Sequence, residues 1–303
     1  MHTTNQLFMV EPVNFRSNEE TSASNAFQKA DGPKLDQALV KEEFQNLVRT
    51  LRDHGVQVHV EKDIPERDTP DSIFPNNWVS FHDDGSVYIY PMLAENRRRE
   101  RSIEFVLNLA QAHKKEIRFL KDLSFEEDKG RFLEGTGSIV FDHVHKYAYC
   151  ALGERSDLTL LERLCEELAY TPIAFESVDR NGFPNYHTNV VMSVGESYAV
   201  VCLDSIKKLE EREKVHSSLI NAGKDVIAIS LEQLESFCGN IIQVHNQDGE
   251  KLIAMSETAF EAFSREQRTL LEKHGQLLVN KIPQIEAWGG GSVRCMICEN
   301  RLP

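Results

Sequence analysis

The chain has 303 residues, of which 41% are hydrophobic and 27% charged, an ordinary globular composition long enough to bury a substantial core. Its formal net charge of −14 argues against nucleic acid or an anionic membrane surface as a partner, because both would be repelled. No apolar run approaches the roughly 20 residues of a membrane span, and MHTTNQLFMVEP has no basic segment leading into an apolar one, so no signal peptide is expected.

From the N-terminus, QLFMVEP is strand-like. Residues 37–60 read as an amphipathic helix, with Phe44, Leu47, Val48 and Leu51 at helical spacing, stopping at His54-Gly55 before a strand VQVHV. NWVSFHDDGSVYIY, from Asn77 to Tyr90, then gives a strand, an Asp-Asp-Gly turn and a second strand. The two patterns alternate along the rest of the chain. Helix–strand pairs recur in RERSIEFVLNLAQAHKK before IRFL, LTLLERLCEELAY before PIAFE, EEREKVHSSLINAGK before DVIAIS, and SREQRTLLEKHGQ before LLVNKI. Hairpins recur at Gly137 (GSIVFDHVHKYAYCAL), Thr188 (TNVVMSVGESYAVVCL) and Gly239 (GNIIQVHNQDGEKLIAMS).

Five helix–strand pairs and four complete hairpins leave one hairpin short. The terminal run GSVRCMIC paired with QLFMVEP supplies it and closes a ring, which also removes exposed sheet edges. The expected fold is a five-bladed pseudo-fivefold α/β propeller, a single domain over residues 1–303. The alternative is a doubly wound α/β sheet, whose crossovers lack regular hairpins.

In a ring of like units, equivalent loops gather at one end of the axis. At or just before the hairpin starts stand Asp71 with Asn76 and Asn77, Glu134, His187 with Asn189, and Cys295. Cys295 follows Gly289-Gly290-Gly291-Ser292 and is a candidate nucleophile just inside a strand; the plainer reading is a buried cysteine after a flexible turn. His187, in FPNYHTNVV, is a candidate acid/base, or else a satisfied structural histidine. Glu134, in RFLEGTGS, could orient it, or be a solvated loop carboxylate. Asp71 could accept hydrogen bonds from a substrate NH2 group, or merely shape a turn after Pro70.

Weaker signals point elsewhere. Cys295 and Cys298 form a C-x-x-C with no second pair for zinc, and residues three apart in a strand face opposite ways. Cys150, Cys165 and Cys202 lie in apolar runs and read as core, so six cysteines suit a reducing cytoplasm rather than a disulfide scaffold. His143 and His145 flank a hairpin turn without a third metal ligand nearby. Neither a phosphate-binding G-x-x-x-x-G-K-[ST] loop nor G-x-G-x-x-G is present. No cofactor and no metal are expected.

The segments MVEPVNFRSNEETSASNAFQ, DSIFPNNWVSF, LEGTGSIVFD, YHTNVV and GGGSVRCM, in this order over the whole chain, resemble the guanidino-group modifying enzymes. That superfamily includes arginine deiminases, dimethylargininases and amidinotransferases, built on the five-bladed pentein fold. The branch it resembles most is that of the citrulline-utilization hydrolases. The resemblance implies Cys295 as nucleophile, His187 as general acid/base, Glu134 as its partner and Asp71 as a contact to substrate nitrogens. It further implies that Arg155, in LGERSD, holds the substrate carboxylate; otherwise Arg155 is a surface residue leading a helix. Arginine-processing members carry an acidic residue where this chain has Asn189, and dimethylargininase-like members carry acidic residues where it has Asn76 and Asn77. A guanidinium only donates hydrogen bonds, whereas a ureido group also accepts, which suits an amide. The expectation is therefore a hydrolase of a ureido or guanidino amino acid, foremost citrulline to ornithine, ammonia and carbon dioxide. In this scheme a protonated His187 lowers the thiol pKa. The competing expectations are an arginine deiminase-type hydrolase, an amidinotransferase, or a non-catalytic binding scaffold. A homo-oligomeric assembly is left open.

Overall fold

A computed structural model describes residues 1–22, 25, 27–28 and 34–303. Its fifteen described strands form five separate three-stranded sheets. Strands β1 (Gln6–Glu11) and β2 (Gln57–Lys62) belong to the blade that joins the two ends of the chain. The next blade holds β3 (Val79–Phe81), β4 (Ser86–Ile89) and β5 (Phe119–Asp122). It is followed by β6 (Val140–Asp142), β7 (Tyr147–Ala151) and β8 (Thr171–Phe175), then by β9 (Met192–Val194), β10 (Tyr198–Val201) and β11 (Asp225–Ala228). The last complete hairpin blade has β12 (Ile242–His245), β13 (Lys251–Ser256) and β14 (Gln276–Asn280). Finally β15 (Cys298–Glu299) returns to β1.

In every blade the first two strands pair antiparallel and the third joins the second in parallel after a helical crossover, the connection parallel strands require. The ring closes as the sequence pattern requires: β15 pairs antiparallel with β1, Phe8 opposite Cys298 and Leu7 opposite Glu299. Around the inside, β15 packs on β3, β6 on β9, and β9 on β12.

The crossover helices form where apolar residues recur at helical spacing. In helix Gln37–Asp53 the Asp36 side chain caps the amides of Ala38 and Leu39, and Val40, Phe44, Leu47, Val48 and Leu51 are buried along one stripe. The core lies between blades as much as within them. Phe8, Trp78, Phe81, Phe105, Leu109 and Cys298 make one cluster from two blades and the helix Ile103–His113. Among the described residues no helix is long and apolar enough to cross a membrane.

The structure departs from the expected pattern at the start of each hairpin. The runs opening each hairpin do not enter a strand directly. A single helical turn comes first: Pro75–Asn77, Gly135–Ser138 and Thr188–Val191, with hydrogen-bonded turns ending at Asn240 and spanning Val293–Met296. Val190 and Val191 favour a strand locally, but the turns stack on one another around the axis and that packing prevails. Cys295 therefore lies in a turn, not inside a strand. The Cys295–Cys298 pair is a thiol pair with separate surroundings, since the Cys298 thiol donates to the Val79 carbonyl at 3.4 Å.

Candidate functional site

Because those turns occupy equivalent places in the ring, the residues they carry meet at one end of the axis. A small cavity there is lined by Asp71, Asn77, Arg97, Arg155, His187 and Cys295, drawn from four of the five blades. A roomier groove of ≈ 490 Å³, lined by Phe27, Asp179, Arg180 and Glu235 among others, contains none of these six. Chemistry rather than volume marks the site.

Cys295 is held by the turn that follows helix Pro283–Gly289. Gly290 ends that helix at φ +63°, and a Cβ there would stand 2.7 Å from Asn25 Nδ2 and from the Gln28 side chain. Gly290 thus serves tight packing against Asn25 and Gln28, and Gly289 and Gly291 line the cavity. Beyond them the Ser292 carbonyl accepts from the Cys295 amide at 3.0 Å, and the Ser292 hydroxyl donates to Glu286 at 2.6 Å. Burial pushes the Cys295 thiol up, against hydrogen bonds from the Ser292 turn and Asn240 that pull it down.

His187 precedes the turn Thr188–Val191, and its Nε2 donates to Glu134 Oε2 at 2.8 Å. Both residues are buried. The other oxygen, Glu134 Oε1, accepts from the Leu93 amide at 3.0 Å. Arg155 Nη1 lies 3.6 Å from Glu134 Oε2, and Arg97 Nη1 3.8 Å from it. Burial alone would raise the Glu134 pKa, but Arg155, His187 and Arg97 hold it at about 2. Burial lowers His187 to about 4 despite its carboxylate partner. Burial thus works against the imidazolium expected from the sequence, while the Glu134 carboxylate works for it. With Nε2–H committed to Glu134, Nδ1 is the basic nitrogen. The ring fits only because residue 137 is glycine: a Cβ there would lie 2.3 Å from Asn77 Nδ2 and 2.8 Å from His187 Nδ1.

Asp71 is buried, and its Oδ2 accepts from Asn18 Nδ2 at 2.7 Å, while Arg97 Nε lies 3.7 Å away. Its Oδ1 has no hydrogen-bond partner among the described residues. Burial raises its pKa, opposed by Arg97. Asn77 lines the cavity and accepts from Arg97 Nη1 at 2.8 Å, whereas Asn76 lies behind it, accepting from Asn77 Nδ2 at 3.2 Å. Asn189 Oδ1 stands 3.7 Å from Cys295 Sγ, and Asn189 Nδ2 is buried without a partner among the described residues. Arg155 is buried over the Tyr186 ring, 5.4 Å from its centroid, not a surface residue. The metal reading of His143 and His145 gains nothing: His143 Nδ1 meets the Tyr170 hydroxyl, His145 Nδ1 meets Asp142, and no cluster of three or more His, Cys, Asp or Glu that could hold a metal stands among the described residues.

Two residues escaped the sequence reading. Arg97 sits in RRRE, which looks like a solvated charge run, yet it is buried in a two-pronged pair with Glu100 at 2.8 and 3.0 Å. Asn240 opens the Gly239 hairpin, at the same repeat position as the other site residues. That register was the available signal.

The fold has solved relatives. Apo ArgZ, an arginine dihydrolase from the ornithine–ammonia cycle in cyanobacteria, superposes with a TM-score of 0.77 at 16% identity, over 98% of this chain and 41% of that one. AgrE in a ternary complex with ornithine and NAD+ gives 0.76 at 16% identity, over 98% and 39%. DDAH from Pseudomonas aeruginosa, complexed with citrulline, gives 0.68 at 13% identity, over 99% of this chain and 100% of that one. The chain thus spans about two-fifths of the ArgZ and AgrE chains, and all of these likenesses concern the fold. No curated protein matches the sequence. The sequence profile described as "N,N dimethylarginine dimethylhydrolase, eukaryotic" matches residues 11–302, nearly the full length. On that match, joined to the five-bladed fold, the chain belongs to the N,N-dimethylarginine dimethylhydrolase family of guanidino-group modifying enzymes.

Proposed function

We propose that the protein is a cysteine hydrolase of the C–N bond in an arginine-type amino acid, working within one domain, and that its preferred substrate is citrulline. Cys295 is the nucleophile, His187 the acid/base and Glu134 the carboxylate that fixes the His187 tautomer. The Arg155 guanidinium suits the substrate carboxylate, as bidentate guanidinium groups do, while Arg97 is already engaged by Glu100 and Asn77.

Burial of the thiol and the imidazole favours a path in which charge forms only as the proton moves. A neutral His187 first takes the Cys295 proton on Nδ1, and Glu134 stabilises the imidazolium formed. Cys295 Sγ adds to the ureido carbon, the bond from that carbon to the side-chain nitrogen breaks, and His187 gives the proton to the departing amine of ornithine. An S-carbamoyl enzyme remains. His187 then deprotonates a water that attacks the same carbon, the C–S bond breaks, and carbamate leaves to decay to ammonia and carbon dioxide.

The observation that carries citrulline over arginine is the pairing of spare valences. Asp71 Oδ1 is a buried acceptor and the Asn189 amide, beside the sulfur, a buried donor. One acceptor and one donor match the NH2 and C=O of a ureido group; a guanidinium offers donors alone. Family membership favours a guanidino substrate instead. Comparing kcat/KM for L-citrulline, L-arginine and N,N-dimethyl-L-arginine decides between them, and a clear arginine preference removes the citrulline assignment. Ammonia release without an added acceptor amine separates hydrolysis from amidino transfer. Cys295→Ala should abolish turnover at a nearly unchanged melting temperature; retained activity would remove Cys295 from the reaction.

A further inference from the structure

Asn240 is fully buried at the start of the fourth hairpin, the one axial position left without a role above. Its Oδ1 accepts from the backbone amides of Arg294 at 3.1 Å and Cys295 at 3.4 Å. Those two donors fix which end of the amide is oxygen. Its Nδ2 donates to the Asn189 carbonyl at 2.8 Å and to Cys295 Sγ at 3.1 Å. Both Nδ2 hydrogens are thereby committed, one to backbone and one to sulfur. Asn240 binds the nucleophile's turn with one end and the nucleophile itself with the other.

We propose that Asn240 is a catalytic residue that stabilises the Cys295 thiolate by hydrogen bonding and fixes the direction of its attack. This rests on the hydrolase reading of Cys295. A donor aimed at sulfur favours the ionised form, since a thiolate is much the better acceptor. The need is acute in this cavity, because burial disfavours the charged form of the thiol and of the imidazole that lines the cavity with it. A neutral substrate would bring no positive charge to help. Asn240 keeps its protons throughout, so it acts as a fixed dipole that needs no reorganisation when charge develops. The Asn189 backbone, held by the other Nδ2 hydrogen, couples the turn after His187 to the same amide.

The test separates the two ends of the amide. Asn240→Asp keeps an acceptor for the Arg294 and Cys295 amides but replaces the donor facing sulfur with an oxygen; Asn240→Ser retains a hydroxyl donor. Alkylation of Cys295 by iodoacetamide, read by peptide mass from neutral to alkaline pH, reports the thiolate directly and needs no substrate. For Asn240→Asp the apparent thiol pKa should rise by about one unit or more, a roughly tenfold smaller thiolate fraction at neutral pH. kcat should fall at least as far with KM little changed, and Asn240→Ser should recover part of both. A folded Asn240→Asp whose alkylation profile superimposes on that of the unaltered protein overturns the proposal. Should that variant not fold, Asn240→Ala against Asn240→Ser makes the same comparison, and equal profiles again overturn it. If Cys295 in the unaltered protein reacts no faster than the other five cysteines, the hydrolase reading itself falls.

Discussion

His187 and Glu134 lie 53 residues apart in sequence, and their side chains meet at 2.8 Å in a fully buried hydrogen bond. Each precedes a one-turn helix opening its blade, so the contact joins the same point of adjacent repeat units. Arg155 and Arg97 keep the carboxylate charged, which lets it accept a hydrogen bond from His187 and stabilise an imidazolium without taking the proton itself.

Glu134→Gln should therefore lower kcat about a hundredfold or more, by removing the charge that stabilises the imidazolium. It also leaves two buried guanidinium groups facing a neutral amide, at a stability cost of about 3–5 kcal/mol. Turnover and denaturant unfolding measure the two effects separately. An unchanged kcat would take Glu134 out of the acid/base relay.

Gly137→Ala places a methyl group where Asn77 and the His187 ring already stand, at 2.3 and 2.8 Å. Overpacking of this kind costs roughly 1–3 kcal/mol. The ring must move, so activity should fall more than stability does. A variant with full activity and an unchanged melting temperature would show that the contact relaxes freely.

Asn189→Asp puts a carboxylate beside Cys295, where the amide oxygen stands 3.7 Å from the sulfur. The expected outcome is a higher ratio of kcat/KM for L-arginine over L-citrulline, because a carboxylate prefers the cationic group. An unaltered ratio would show that Asn189 does not read the substrate.

Stability should fall as pH drops below the usual histidine range. Burial lowers His2, His82 and His187 from 6.5 to about 4, and His143 well below its ordinary value. Between pH 6.5 and about 4 the unfolded chain takes up protons that the native state refuses, so protons favour unfolding there; above 6.5 the contribution is fully present. Each tenfold difference in proton affinity is worth about 1.4 kcal/mol. Urea midpoints should be lower at about pH 5 than at about pH 7. His82→Asn, which removes one titrating ring, should flatten the dependence. Burial raises Glu100 to about 7 and acts in the opposite sense, so the comparison with His82→Asn decides: equal pH dependences in the two proteins would contradict the assignment of a neutral buried His82.

The five repeats, their closure through both chain ends, and Cys295, His187, Glu134 and Asp71 as a group were all legible in the sequence. Helical and strand periodicities are local properties, and a repeat carries its register along the chain wherever it recurs. Where the chain turns before each first strand was not legible, because Val190 and Val191 favour one state locally and stacking around the axis imposes the other. Nor could any local rule distinguish Arg97 from Arg98 and Arg99 in one charged run, or assign Asn240 to the sulfur of a cysteine 55 residues away. Burial and partner choice across a closed ring depend on all five blades at once. The residue types came with the sequence, whereas the burial of His187 and the amide beside Cys295 came only with the fold, which decides how much water each group loses and which dipole replaces it.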